Sequence, residues 1–166
     1  MSMQNNMTKP VVRHAGEGHA APFVDGYLAY LLAQASYRIS AEFDAQANAA
    51  GLSVTEWRVL GSLMGGEGIT VGELAMRAIT KQPTLSKVVQ RMEAEGLLMR
   101  ADVRADRRQT RVSMTAKGRK LAESLCRQAM RHQAMVLEPF GEERSALLIE
   151  MLHTLMVQHV PLPEIE

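Results

Sequence analysis

Apolar positions recur with helical spacing at both ends of this 166-residue chain, and with mixed spacing in between. From Pro22 and Phe23 to about Ala49, Val24, Leu28, Leu31, Leu32, Ala35, Ile39 and Phe43 return at three- and four-residue steps, which predicts a long one-faced helix closed by Gly51. Ser53-Val54-Thr55-Glu56 is a capping box and opens a second helix, with Trp57, Leu60, Leu63 and Met64 on its apolar side. Gly65-Gly66-Glu67-Gly68 ends it in a loop. Thr70 and Glu73 repeat the box pattern, and a short helix follows to about Arg77. After a tight connection at Ala78-Ile79, Thr80 is the expected cap of the next helix, and Pro83 is acceptable in its first turn. There Leu85, Val88, Val89 and Met92 share one face. At about 100° per residue, Lys87 and Gln90 face the other way, flanked by Thr84 and Arg91, with Gln82 near the start. Gly96 closes this helix. Short strands are predicted at Leu97–Arg100 and at Thr110–Met114. Thr115 then caps a helix from Ala116 to Leu137, Pro139 and Gly141 break it, and a last helix runs from Glu142 to about Val160.

Helices dominate this pattern, so the fold class is mainly α with a small β-wing. A short helix, a tight turn and a second helix with a polar, basic outer face make a helix-turn-helix, and the two strands make it winged over 51–114. The apolar stripes at 22–50 and 115–160 come from opposite ends of the chain. Packed together they form a helical dimerisation region. Residues 1–21 are polar and without period, and read as a flexible N-terminal arm.

Charge sharpens this picture. From Arg77 to Lys120 there are twelve Lys/Arg and four Asp/Glu, a surplus of +8 in a chain of net +1, which leaves −7 for the remainder. Such a local surplus is the footprint of a phosphate-backbone binder. The second helix of the pair would enter a major groove, where Gln suits adenine and Lys suits guanine or phosphate. Ala101–Gln109 is long for a hairpin loop. Arg104, Arg107 and Arg108 project from it, and Asp102 and Asp106 can pair with Arg and stiffen it. An Arg-tipped ribbon fits the width and potential of a minor groove.

Composition narrows the classes. Hydrophobic residues at 46% allow a sizeable core, and twelve Met fit adaptable packing. The single Cys excludes an internal disulfide and points to a reducing, cytoplasmic setting. No apolar run approaches the roughly 18 residues of a membrane span, and no signal-peptide core is present. Nucleophile–base constellations, Gly-rich phosphate loops and metal-ligand spacings are absent from the sequence, which argues against an enzyme; no cofactor or metal is expected. Tyr37, Arg38, Trp57 and Arg58 have two readings. One is core and rim packing; the other is the wall of a pocket for an aromatic or carboxylate ligand.

From Gly51 to Leu125 the chain resembles the MarR (multiple antibiotic resistance regulator) family of winged-helix transcription regulators. The resemblance is carried by GLSVTEWRVL at 51–60, ITKQPTLSKVVQRMEAEGLL at 79–98 and DVRADRRQTRVSMTAKG at 102–118. It implies a homodimer on a palindromic double-stranded DNA operator, a repressor released by a small aromatic or anionic effector. Carried over, the reader contacts are Gln82, Thr84, Lys87 and Arg91. The wing contacts are Arg107 and Arg108 beside Arg104, braced by Asp106, and the effector crevice draws on Tyr37, Arg38, Trp57 and Arg58. The wording of the motifs is most similar to members controlling aromatic-acid catabolism, some of which sense aryl-CoA thioesters. The alternative is a metal- or redox-responsive regulator of the same fold. Against it, peroxide-sensing relatives carry a reactive Cys near the start of the first helix, whereas the Cys here is Cys126, and His132, His153 and His159 are scattered.

Overall fold

A computed structural model describes residues 22–103 and 106–159, the side chains of 102–109 excepted. The expected arm at 1–21 lies outside the described residues. The chain divides into two compact units, residues 1–36 and 37–166. Its elements are α1 (Leu28–Ala49), α2 (Val54–Leu63), β1 (Ile69–Thr70), α3 (Val71–Arg77), α4 (Gln82–Ala94), β2 (Leu98–Val103), β3 (Asp106–Met114), α5 (Ala116–Leu137) and α6 (Gly141–Gln158).

In the first unit the long helix starts later than its apolar stripe does. Phe23–Gly26 forms a 3-10 turn, Tyr27 is extended, and α1 begins at Leu28. The Phe23 and Tyr27 rings stack with centroids 5.4 Å apart, yet both stay exposed.

The second unit holds the core. Leu60 and Val59 of α2, Leu74 of α3, Leu85, Val89 and Met92 of α4, Leu98 and Val112 of the sheet and Leu125 of α5 are all buried together. Leu60, Leu85, Val89 and Met92 are positions of the expected helical stripes, so the 3.6-residue period was a sound guide there, whereas Val59 lay outside the stripe expected for α2. The sheet is antiparallel in the order β1-β3-β2, with Ile69 opposite Val112 and Leu98 opposite Met114. Two points differ from the sequence reading. The strand β1 is only two residues long and leaves no periodic signal. The nine-residue loop is mostly strand, since β2 runs on to Val103 and β3 starts at Asp106, with an irregularity at Asp102/Val103. Ladder hydrogen bonds come from the backbone, so Arg- and Asp-rich positions extend a hairpin without an apolar alternation.

Three helices end in the same way. At α1 the Leu52 N–H donates to Ala47 O (3.0 Å) and Gly51 N–H to Asn48 O (2.9 Å). At α4 the Leu97 N–H donates to Met92 O and Gly96 N–H to Glu93 O, both 2.9 Å. At α3 the Thr80 N–H donates to Ala75 O (3.0 Å) and Ile79 N–H to Met76 O (3.1 Å). This is the Schellman arrangement, which needs a left-handed residue after the C-cap. Gly51 and Gly96 supply it at φ 79° and 71°, but the third is Ile79 at φ 54°. Thr80 is thereby committed to closing α3. The N-cap of α4 is Lys81, without a side-chain cap bond, and not the expected Thr80. A β-branched residue in this region costs roughly 1–2 kcal/mol. Ile79 is 77% exposed, so little burial offsets the strain. Ile79→Gly is therefore expected to raise stability by about 1 kcal/mol, read as a higher denaturation midpoint at unchanged slope. A lower midpoint would mean that the Ile79 side chain is covered in solution.

The second expected capping box is only half formed. Thr70 Oγ1 accepts from Glu73 N–H at 3.2 Å, but the Glu73 carboxylate accepts from Arg77 at 2.7 Å. Arg77 lies four residues on along the same helix face, the spacing at which side chains meet.

Candidate nucleic-acid interface

Helix α4 carries the outer face expected to read DNA. Leu85, Val89 and Met92 anchor its inner face in the core, while Gln82, Thr84, Lys87 and Gln90 are exposed on the other side. Its first turn carries no acid, so nothing there opposes the partial positive charge of the helix start. The Ser86 hydroxyl donates back to Gln82 O at 3.0 Å.

Arg91 is placed differently from the other reader residues named in the sequence. Its Nε and Nη2 both donate to Glu56 Oε1, at 3.0 and 2.7 Å. Glu56 Oε2 accepts from Ser53 N–H and Ser53 Oγ, both at 2.8 Å, and completes the capping box of α2. The Glu56 side chain is 6% exposed and that of Arg91 56%. Burial pushes the Glu56 carboxyl up, but the Ser53 hydrogen bonds and the Arg91 guanidinium outweigh it and hold it below 4.5. Its contribution to stability is thus fully present above that ordinary value and is lost as pH falls through the lower folded one.

Beside α4 stands the wing. The Arg100 Nε and Nη2 on β2 meet Glu93 Oε2 on α4 at 2.7 and 2.6 Å, tying wing root to α4. Next to that bridge is a cavity of about 480 Å³, lined by Thr70, Val71, Gly72, Gln82, Ser86, Arg100 and Thr110. Among the described residues it offers hydroxyls, an amide and a guanidinium. Arg104 falls outside the described residues. Asp106, Arg107 and Arg108 have described backbone in β3, but their side chains lie outside the description.

The junction of wing and α5 explains the Thr-Ala-Lys-Gly motif. Thr115 Oγ1 accepts from Gly118 N–H at 3.1 Å and donates to Gly96 O at 2.6 Å. Lys117 Nζ donates to Glu95 O at 2.8 Å. A Cβ on Gly118 would run into the Leu97 carbonyl. Cap, cation and missing side chain all grip the C-terminal end of α4, so this helix is held at its far end.

The four aromatic and basic residues named for an effector do not close into one pocket within a chain. Tyr37 is 75% exposed and Arg38 is exposed, both on α1. Trp57 is half-buried with its ring 5.1 Å from that of Phe43, which is core packing; Arg58 is half-buried. Sequence reading missed a neighbour of this cluster. His132 of α5, 7% exposed, lies with Nε2 3.0 Å from Glu42 Oε2 and its ring 5.9 Å from Phe43. A contact across 90 residues leaves no local signal. Cys126 is half-buried, and burial pushes its thiol up, away from the reactive thiolate. Among the described residues, no group of three His, Cys, Asp or Glu is placed to hold a metal ion.

Residues 50–109 match the MarR family pattern. A MarR family transcriptional regulator of Silicibacter pomeroyi DSS-3, SPO1453, is 38% identical in sequence; its crystal structure aligns with a TM-score of 0.73 over 82% of this chain and 97% of that one. The chain belongs to the MarR family. The HTH-type transcriptional regulator FarR of Neisseria gonorrhoeae is 27% identical over 121 residues, which are 73% of this chain and 83% of that protein. A third relative, NadR in complex with 4-hydroxyphenylacetate, aligns with a TM-score of 0.70 at 25% identity over 86% of this chain and 97% of its own. This MarR protein is a DNA-binding transcriptional regulator with a winged-helix fold, and not an enzyme. None of its described helices is long and apolar enough to cross a membrane.

Proposed function

We propose that this MarR protein is a dimeric repressor that binds a palindromic operator and is released by a small aromatic or anionic compound. The observation that carries it is the acid-free first turn of α4, with Gln82, Thr84 and Lys87 exposed near a donor-lined cavity at the wing root. On this reading 51–114 is the DNA-reading domain, acting in the cytoplasm. Its α4 enters the major groove and Arg104, Arg107 and Arg108, braced by Asp106, enter the adjacent minor groove. The described part of 22–50 and 115–160 serves dimerisation. Helix α6 supports this, since none of its 18 residues is buried while Leu147, Met151, Met156 and Val157 stand exposed. Exposed apolar surface on that scale calls for a partner, and a second copy brings a second reader at a fixed spacing. Tyr37, Arg38, Trp57 and Arg58 line the effector site once the dimer forms. NadR, crystallised with a phenolic acid, supports an aromatic acid or its CoA thioester as the class.

The test is anisotropy titration of the protein onto its own upstream DNA at graded salt, repeated with a panel of aromatic acids, aryl-CoA thioesters, zinc and peroxide. Tight binding to one segment is expected, with log K falling by about 0.9 per phosphate neutralised per log unit of salt, and release by an aromatic compound. A profile flat in salt, or indifferent to sequence, overturns the repressor. Release by zinc or peroxide alone moves the effector to the metal or redox class.

A further inference from the structure

Arg91 has the sequence position of a DNA contact but the geometry of a strut. It sits in the last turn of α4, about 14 Å along the axis from Gln82. Its guanidinium spends Nε and Nη2 on one oxygen of a carboxylate that is itself nearly buried. The other oxygen of Glu56 is filled by Ser53, so Glu56 has no freedom to follow Arg91 outward. Swinging Arg91 to a phosphate would strand a carboxylate in the interior, which is the costly way to break such a pair.

We infer that Arg91 is a positioning residue that fixes the angle of the reader helix against the start of α2 through Glu56, and that it does not itself contact DNA. This rests on the reading of α4 as the DNA reader. The three anchorages of α4 then have separate jobs. Glu56 holds Arg91 toward one side, Glu93 holds the wing through Arg100, and Thr115 with Lys117 clamps the C-terminal end. With α4 braced, the amide of Gln82 and the ammonium of Lys87 meet base edges in one register. With the brace cut, the helix keeps its charges but loses that register.

The two roles for Arg91 predict opposite signs in one experiment. The variants are Glu56→Gln and Arg91→Lys, each measured for operator and unrelated DNA by salt titration, with the melting curve recorded alongside. A strut requires that Glu56→Gln weakens operator binding about tenfold, because Gln accepts from Arg91 without the charge that holds it. Arg91→Lys, which keeps the net charge but lacks the guanidinium fork, should lose a similar factor. Affinity for unrelated DNA and its salt slope should stay as in the parent protein, and the double variant should be no worse than either single one. If Arg91 instead binds phosphate, Glu56→Gln frees it and leaves operator binding equal or tighter, and Arg91→Lys is close to neutral. Either of those results overturns the inference while leaving the reader itself intact. Should Glu56→Gln melt below the assay temperature, Arg91→Lys decides alone: full operator affinity rejects the strut. A parent protein with no salt-dependent binding overturns the reader and the strut together.

Discussion

Alanine at both Gln82 and Lys87 is expected to lower operator affinity by about a hundredfold or more while the protein stays folded and its affinity for unrelated DNA falls only modestly. Each well-placed side chain on a base edge contributes about 1–3 kcal/mol of discrimination, so two removed together cost about 2–6 kcal/mol, and the middle of that range lies beyond a hundredfold. Stability should hardly change, because both side chains are exposed and the inner face of α4 is carried by Leu85, Val89 and Met92. The single variants separate two chemistries. If Lys87 lies on a phosphate, Lys87→Ala lowers the salt slope by about 0.9 and weakens all sequences alike. If it lies on a guanine, the slope holds and preference at one base pair relaxes. Gln82 is uncharged, so Gln82→Ala must leave the slope unchanged and act on sequence preference. Anisotropy titration on operator and scrambled duplexes reads all of this. Equal affinity of the double variant and the parent for the operator would move the reader off this helix.

The second large effect lies at the junction that holds α4 from behind. Gly118→Ala is expected to cost about 3 kcal/mol, the upper part of the range for forcing atoms into a packed core. The added Cβ would stand 3.0 Å from the Leu97 carbonyl carbon and closer still to its oxygen. Leu97 cannot step aside. Its N–H is donated to Met92 O at 2.9 Å, and its carbonyl accepts from Thr115 N–H at 3.0 Å. Alanine is the better helix former by about 1 kcal/mol, and that gain does not cover the clash. For a chain of this length the expected fall in Tm is roughly 10 °C. Gly61→Ala is the matched control, also within a helix. There the nearest atom is a Trp57 ring carbon at 3.7 Å, an ordinary contact, and stability should hold or rise. Equal melting of the two variants would show that the junction opens more readily than its hydrogen bonds indicate.

Helical segments were legible because an apolar stripe at a 3.6-residue period is local information, and so were caps set by residues three apart. Ser53 with Glu56, Gly51, Gly96 and Thr115 stand where that logic placed them. The outward face of α4 was legible for the same reason, since an inside implies an outside.

What sequence could not show lies in partners that are distant or shared. The second oxygen of Glu56 belongs to Arg91, 35 residues away, a bridge that no local pattern announces. Glu73 was claimed by Arg77, so the second capping box is half made. Ile79 occupies a left-handed site because the connection from α3 to α4 demands one there, and no residue type announced it. The two-residue β1 exists only because the edge of β3 was free to pair. By itself, then, the chain determined where the helices run to within a few residues, which face of α4 is buried, and where its positive charge gathers, because each depends on spacing within a few residues. The tertiary structure alone decided that Glu56 meets Arg91 and that Glu93 meets Arg100, because those side chains meet only after the core has closed.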